Sequence, residues 1–199
     1  MVVERFLFSG WHHKEIALRD YVRSAAHITR IDALMSSCLV AIDRFAEDAG
    51  CAIYRRSLDG NYHCLRSSIA EAPTEIDGNE PVVLAMRVER GVVRCTDRGP
   101  PLTQELAVPM INRGEIDGFL LINHKPSQEA YRPDELNVLE FAIQQIGLDL
   151  TALEREQYKQ QATELEILAS TARNSAEEMR SLLQLALGRH TTSDGSRGR

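Results

Sequence analysis

The spacing of apolar residues in the last third of the chain constrains the fold more than any other feature. After Pro133 the apolar side chains recur at alternating intervals of three and four residues, which is the a/d pattern of a coiled coil. The positions are Leu136, Leu139, Ile143, Ile146, Leu150 and Leu153. The pattern predicts a long helix with one apolar seam, and we expect this seam to pair two copies of the chain in a parallel homodimer.

The seam returns one position out of phase after the polar stretch 154–161. Its second part consists of Leu165, Leu168, Ala172, Met179 and Leu182. Two successive four-residue stutters add eight residues, one more than a heptad, and so produce a slip of one position. The two parts of the seam therefore favour different registers of the same helix. This predicts a bistable element suited to carrying a signal. The alternative is a helix that packs on its own domain and is followed by a separate surface helix.

An antiparallel sheet is predicted ahead of this helix. Asp59-Gly60 lies between two short apolar-rich runs, and such a dipeptide is a strong hairpin signal. The predicted strands cover residues 51–56, 62–67, 92–96, 106–111 and 116–123, and the last of them is expected to be the most buried because it is almost continuously apolar. The fold class is therefore α+β, with a sheet of about five strands.

Helical spacing of apolar residues flanks the sheet on both sides. Helices are predicted over residues 14–27 and 33–48, and Pro81 opens a short third helix because proline is favoured in a first helical turn. We expect helices on one face of the sheet and long helices at both ends of the chain. The resulting plan is a connecting helix over 1–31, a domain over 32–153, a signalling helix over 154–187 and a disordered tail over 188–199.

The start of the chain carries an apolar stub followed by basic residues. Phe6, Leu7, Phe8 and Trp11 precede His12, His13 and Lys14. Such an order is typical of the residues just inside a membrane after a spanning helix, so one interpretation is the cytosolic face of a membrane sensor. The alternative is a plain helix that docks on the domain.

Composition excludes several classes of function. The formal net charge of −6, from 29 acidic and 23 basic residues, argues against a nucleic-acid binder, because such proteins carry a basic excess. Cys38, Cys51, Cys64 and Cys95 form no CxxC pair and no zinc-ligand spacing, so we predict no metal site and free thiols in a reducing cytoplasm. His63 and His124 fall in separate strands and are interpreted as polar surface positions rather than metal ligands.

Two segments near the end of the sheet region resemble the GAF domain, a relative of the PAS domain found in bacterial signalling proteins. The run Leu106-Ala-Val-Pro-Met-Ile-Asn-Arg-Gly-Glu-Ile-Asp-Gly-Phe-Leu-Leu-Ile is similar to the family's strand ending in Val-Pro, its tight turn and its Ile-x-Gly strand. Tyr131-Arg-Pro-Asp-Glu-Leu is similar to the Tyr/Phe-x-x-Asp-Glu entry to the family's last helix. The resemblance covers about residues 32–153.

The resemblance implies a sensory or regulatory module with a small-molecule pocket between the sheet and residues 69–98. The positions expected to contact a ligand are Tyr54, Tyr62, Met86, Cys95, Thr96 and Asn123. Family members that bind cyclic nucleotides carry Asn-Lys and Phe-x-x-x-Asp-Glu. Here Asn123-His124-Lys125, Tyr131 and Asp134-Glu135 depart from that spacing, so a cyclic nucleotide is not expected. The sequence identifies no ligand and no cofactor.

Three functions remain open at this stage. The first is a non-catalytic sensor that signals through a homodimer to an output protein. The second is a ligand-free interaction scaffold. The third is a thiol enzyme, because one branch of the family reduces free methionine sulfoxide with clustered cysteines, here represented by Cys51, Cys64 and Cys95. We expect these cysteines to be core residues and predict no catalytic residue, since none has the surroundings of a low-pKa thiolate.

Overall fold

The structure is a computed structural model that describes the backbone of residues 3–98 and 102–192 and the side chains of residues 12–96 and 102–184. The chain divides into two compact units, Met1–Leu153 and Glu154–Arg199. The helices are α1 (Val3–Ala25), α2 (Ile31–Phe45), α3 (Pro81–Glu89) and α4 (Pro133–Thr192), with a 3-10 turn over Cys95–Arg98. The strands are β1 (Cys51–Arg56), β2 (Tyr62–Ser67), β3 (Glu75–Ile76), β4 (Val93–Arg94), β5 (Leu106–Asn112) and β6 (Glu115–Ile122).

The six strands form one antiparallel sheet in the order β3-β2-β1-β6-β5-β4. The predicted α+β class is confirmed, with one strand more than the five expected. The additional strand is β3, which pairs only with Tyr62 and His63 of β2. The predicted hairpin is also present, and Gly60 at its turn has a φ of +93°, a conformation that glycine adopts without strain.

The sheet separates two apolar layers. On one face, α1, α2 and the first part of α4 pack against β1, β5 and β6. On the other face, α3 and the residues around it cover the sheet, so helices lie on both faces rather than on one as expected. β6 lies in the middle of the sheet and alternates between the layers, with Leu120 and Ile122 in the first and Phe119 and Leu121 in the second. The prediction that this strand is the most deeply covered agrees with its run of buried residues.

The first part of α4 packs on its own domain. Leu139, Ile143, Ile146 and Leu150 are at most 1% exposed and belong to the first apolar layer, while Leu136 and Leu153 are partly buried against it. The seam predicted for a dimer over these positions is therefore occupied by the sheet. A coiled coil has 3.5 residues per turn and a straight helix 3.6, and the two diverge by only about 20° per heptad. A short apolar seam therefore has the same spacing in a coiled coil and in a helix that packs on its own domain.

The second unit is helical from Glu154 to Thr192 and carries exposed apolar side chains. They are Tyr158, Leu165, Ile167, Leu168, Met179, Leu182 and Leu183. The helix continues past residue 187, where a disordered tail was expected to begin, and residues 193–199 lie outside the described part of the chain.

Helix α1 begins at Val3, well ahead of the predicted start at residue 14. The side chains of Phe6, Leu7, Phe8 and Trp11 lie outside the described residues, so the juxtamembrane interpretation stays a prediction. Within the part of the chain that the structure describes, no helix combines the length and the apolar character needed to cross a bilayer.

Candidate functional site

Four of the six predicted ligand positions meet between the sheet and α3. Tyr54, Tyr62, Met86 and Cys95 are each 0% exposed and share the second apolar layer. The Phe119 ring lies between the two tyrosines, with its centroid 5.1 Å from that of Tyr54 and 5.0 Å from that of Tyr62. The space in which a ligand was expected is therefore filled by the domain's own aromatic side chains.

The tyrosine hydroxyls in this cluster are satisfied by nearby backbone. Tyr54 Oη donates to the carbonyl oxygen of Pro73 at 2.7 Å, and Tyr62 Oη donates to that of Ile116 at 3.0 Å. Burial also raises the pKa of Tyr54 above its ordinary value, which keeps this phenol protonated. A buried hydroxyl without a hydrogen bond would destabilise the fold, so these two bonds stabilise the packing of the tyrosines in the cluster.

The other two predicted positions lie apart from the cluster. Thr96 is exposed in the 3-10 turn that follows β4. Asn123 follows β6, where its backbone N–H donates to the Gly50 carbonyl oxygen at 3.0 Å and its own carbonyl accepts from Tyr131 Oη at 3.1 Å. Asn123 therefore belongs to the junction between β6 and α4.

A buried ion pair holds the junction between β6 and α4. Lys125 Nζ lies 2.8 Å from both carboxylate oxygens of Glu135, and the two residues are only 2% and 5% exposed. Lys125 Nζ also lies 4.7 Å from the centroid of the Tyr131 ring, a cation–π distance. Glu135 in addition accepts a hydrogen bond from the backbone N–H of Arg132 at 2.8 Å, so the pair fixes the first turn of α4.

Sequence reasoning noticed Lys125 only in comparison with a nucleotide-binding pattern, and Tyr131 and Glu135 there and in the entry to the last helix. The structure gives them a packing role instead. The signal that could have found the pair is a lysine directly after an apolar strand and a glutamate in the first turn of the next helix. Neither residue type is normally buried without a partner.

A second polar cluster flanks this junction. Glu105 is 4% exposed, and its carboxylate lies 3.0 Å from Arg94 Nη1 and 3.2 Å from His124 Nδ1. Arg94 Nη2 also donates to the carbonyl oxygen of Tyr131 at 3.3 Å. These contacts join β4, the residue before β5 and the residues after β6.

The four cysteines are free thiols distributed over both faces of the sheet. Cys38 and Cys51 lie in the layer with α2, whereas Cys64 and Cys95 lie on the opposite face. The sheet thus separates Cys51 from the two cysteines with which a reductase site would have to cluster.

Burial raises the pKa of every cysteine thiol. The pKa of Cys38 and of Cys95 is raised to about 12 in each case. The pKa of Cys51 is raised further, first by burial and then by the nearby Asp43 carboxylate, and that of the half-buried Cys64 is also raised by burial. Since the thiolate is the nucleophile, a raised pKa disfavours the reactive form of each thiol near neutral pH.

One group of three side chains in the described residues has metal-ligating atoms close together. The ligating atoms of Asp59, His63 and Glu75 lie within 4.8 Å of one another beside the β1–β2 turn. All three are solvent-accessible, and Asn61 Nδ2 already donates to Glu75 Oε1 at 2.6 Å. An exposed, partly occupied set of this kind is weaker than the enclosed ligand sets of known metal sites, and we assign no metal to it.

An open groove of about 740 Å³ lies between α1 and α2, away from the sheet–α3 cluster. It is lined by His13, Lys14, Ala17, Leu18, Tyr21, Ala33, Ser36, Ser37, Val40, Ala41, Arg44 and Phe45. Its volume falls in the range of small-molecule pockets. Sequence reasoning missed this groove, because it depends on how closely two helices approach.

No protein-family model matches the sequence, and no curated protein matches it. Solved structures of similar fold do exist. The GAF domain of a phosphoenolpyruvate-protein phosphotransferase from Acinetobacter superposes with a TM-score of 0.58 at 14% identity, over 70% of this chain and 93% of that one. The GAF domain of the corresponding Coxiella burnetii protein superposes with a TM-score of 0.59 at 11% identity, over 74% of this chain and 98% of that one.

An enzyme is similar in fold to the same degree. The free methionine-R-sulfoxide reductase of Neisseria meningitidis, solved with its substrate, superposes with a TM-score of 0.58 at 14% identity, over 70% of this chain and 89% of that one. The predicted GAF-like fold is thereby confirmed. Because one fold hosts several functions, the likeness alone does not distinguish a regulatory domain from an enzyme.

Proposed function

We propose that this chain, which has the fold of GAF domains, is a non-catalytic sensory or regulatory module that transmits a signal through a helical homodimer. The observation that carries the proposal is the exposed apolar stripe on the second unit. Leu165, Leu168, Met179 and Leu182 recur at a/d spacing and are each at least 60% exposed. Isolated helices are marginal in water, so a helix with such a stripe needs a partner.

A second copy of the chain is the partner that fits this stripe best. A parallel homodimer brings identical a/d positions together, so the stripe is complementary to itself without any other protein. We call residues 154–192 the stalk. In this proposal the stalk forms the dimer contact, while the earlier seam positions remain in the domain core.

Signal transmission in this proposal runs along α4. The first part of α4 packs with α1 and α2 in one apolar layer, through Ile143 and Leu150 among others. A change in the packing of α1 or α2 therefore acts directly on α4. An output protein that recognises the stalk would receive the change as a shift between the two registers predicted for it.

The cysteine chemistry supports a non-catalytic role. Burial raises the pKa of all four thiols, and the sheet separates Cys51 from Cys64 and Cys95. Reductase activity, which the Neisseria neighbour makes a fair alternative, needs an accessible thiolate. We also place the domain in the cytoplasm, because four unpaired cysteines suit a reducing compartment.

The filled sheet–α3 cluster favours one alternative, a ligand-free dimerisation scaffold. In a scaffold, the stalk would pair in the same way but no small molecule would change it. The proposal and this alternative share the dimer, so the first test is the mass of the purified full chain in solution, by light scattering. A dimer that depends on the stripe supports both the sensor and the scaffold. A change in the dimer on addition of a small molecule then supports the sensor over the scaffold.

A further inference from the structure

The groove between α1 and α2, called here the α1–α2 groove, is lined by one small side chain of α1 and four of α2. They are Ala17, Ala33, Ser36, Ser37 and Ala41. Larger side chains at these positions would let the two helices interdigitate and close the space. The remaining walls are apolar, with Leu18 and Phe45 buried at 2% and 3% exposure and Val40 exposed at the rim.

The side chains that can carry charge near neutral pH among the described lining residues of the groove are all basic. Its charged or ionisable lining residues are His13, Lys14 and Arg44, although the whole chain has a net charge of −6. Lys14 Nζ also contacts Glu47 just beyond the end of α2, at 3.1 Å. This contact places Lys14 beside the last turn of α2, where Arg44 lies, so the basic residues gather at one end of the groove.

At the other end of the groove, the described polar lining residues already have hydrogen-bond partners. Tyr21 Oη lies 3.1 Å from Ser37 Oγ and 3.3 Å from the carbonyl oxygen of Leu34, so these groups satisfy one another. Ser36 Oγ donates to the carbonyl oxygen of Asp32 at 2.6 Å. The groove thus combines an apolar length with a basic end.

We propose that the α1–α2 groove binds an anionic amphiphile, namely a free fatty acid. Its acyl chain would lie along Leu18, Val40 and Phe45. Its carboxylate would lie at the basic end, where Arg44 offers the planar set of donors that pairs with carboxylates. A hydrocarbon chain in an apolar groove and a charge-assisted contact at its end are the two interactions this arrangement supplies.

The regulatory consequence rests on the proposed function, whereas binding itself does not. Leu18 of α1 and Leu39 of α2 belong to the same apolar layer as Ile143 of α4. An acyl chain that enters between α1 and α2 changes their packing, and the change reaches α4 through this layer. The groove would then be the input of the sensor, in place of the filled sheet–α3 cluster.

Isothermal titration calorimetry of the full chain with dodecanoate, kept below its critical micelle concentration, tests the inference. We expect saturable binding of dodecanoate. Because 1-dodecanol lacks the charge, it should bind at least about tenfold more weakly. Arg44→Gln should weaken dodecanoate binding by about tenfold. Arg23→Gln is the matched control, because Arg23 is an exposed arginine in the last turn of α1 outside the groove, and it should leave binding unchanged.

Ala17→Met tests the groove itself. Ala17 is exposed at the groove, so the longer side chain can occupy the space without disturbing the core, and dodecanoate binding should be lost. Absence of binding to the parent chain would overturn the inference. So would equal binding of dodecanoate and dodecanol, or equal effects of Arg44→Gln and Arg23→Gln.

Light scattering on the same samples separates this inference from the proposed function. If Ala17→Met converts a dimer to a monomer and the parent chain binds no dodecanoate, the groove is a contact between copies and the fatty-acid inference is wrong. If the parent chain binds dodecanoate as a monomer, the inference stands and the dimeric mechanism fails.

Discussion

At the scale of single residues, the contact between Lys125 and Glu135 places two opposite charges inside the domain. Lys125→Met would remove the nearest cation from the buried Glu135 carboxylate and leave it with the Arg132 backbone N–H at 2.8 Å and the half-exposed Arg132 Nε at 3.8 Å. We therefore expect a loss of about 3 kcal/mol in the free energy of unfolding. Urea denaturation of the full chain measures this loss. The double variant Lys125→Met/Glu135→Gln should recover much of it, because no uncompensated charge remains.

The exposed pair between Arg23 and Asp20 is the control for this prediction. Its side chains are 79% and 60% exposed, and Arg23→Ala should cost less than about 1 kcal/mol. If Lys125→Met costs no more than Arg23→Ala, the β6–α4 junction does not hold a buried ion pair as described.

The buried thiols predict a loss of stability at alkaline pH. The pKa of Cys38 and of Cys95 is about 12 in the folded chain, against an ordinary value of 9.0, so the unfolded chain releases these protons first. Stability is then complete below about pH 9 and falls as the pH rises towards 12, by up to about 1.4 kcal/mol per pH unit for each thiol.

Urea denaturation at pH 8 and pH 10 tests the thiol prediction. Other groups also titrate in this range, so the informative quantity is the difference between the parent chain and Cys38→Ala/Cys95→Ala. The double variant should show a smaller loss between the two pH values. Equal losses in both proteins would show that these thiols do not titrate at the raised values.

Single residues were the least predictable part of the site. The resemblance to the GAF domain was enough to place Tyr54, Tyr62 and Cys95 around one expected pocket. It could not show whether they line a space or fill it, because the position of the Phe119 ring depends on the pairing of β1 with β6. The Lys125–Glu135 contact was equally hidden, since the turn between them brings two charges together only in the fold.

At the scale of elements, α4 shows what an apolar pattern can and cannot predict. The helix and its apolar face were predicted from spacing, and the face over Leu139–Leu150 is buried in the first apolar layer of the domain. The choice of cover depends on the sheet, which lies elsewhere in the sequence. The short strand β3 was missed because its two residues give no periodicity, whereas the equally short β4 was found within the longer predicted strand over 92–96.

Ile143→Lys tests whether the first part of the α4 seam lies in the domain core or contacts a second copy of the chain. Ile143 is 0% exposed in the first apolar layer, so a buried lysine there should prevent folding or greatly lower the thermal midpoint. Circular dichroism and thermal melting measure this outcome. A well-folded monomer with an unchanged melting temperature would instead show that Ile143 contacts a second copy.

At the scale of the whole molecule, the sheet divides the domain into two apolar layers that differ in how they are packed. The α3 layer is filled by aromatic rings and holds the residues first expected to bind a ligand. The other layer contains the open groove between α1 and α2, and in it these two helices share one apolar cluster with α4. The order of elements was predictable because each element has a local signal, whereas the side of the sheet that stays open is set by packing between distant segments.

The central claim is that the exposed stripe of the stalk pairs two copies of this chain. Leu168 and Ile167 are neighbours, both 60% exposed, but only Leu168 belongs to the stripe. Light scattering on the parent chain, Leu168→Lys and Ile167→Lys therefore tests the claim with a matched control. We expect twice the 22.3 kDa chain mass for the parent and for Ile167→Lys, and a shift towards monomer for Leu168→Lys. A monomeric parent chain, or a Leu168→Lys variant as dimeric as Ile167→Lys, would contradict it.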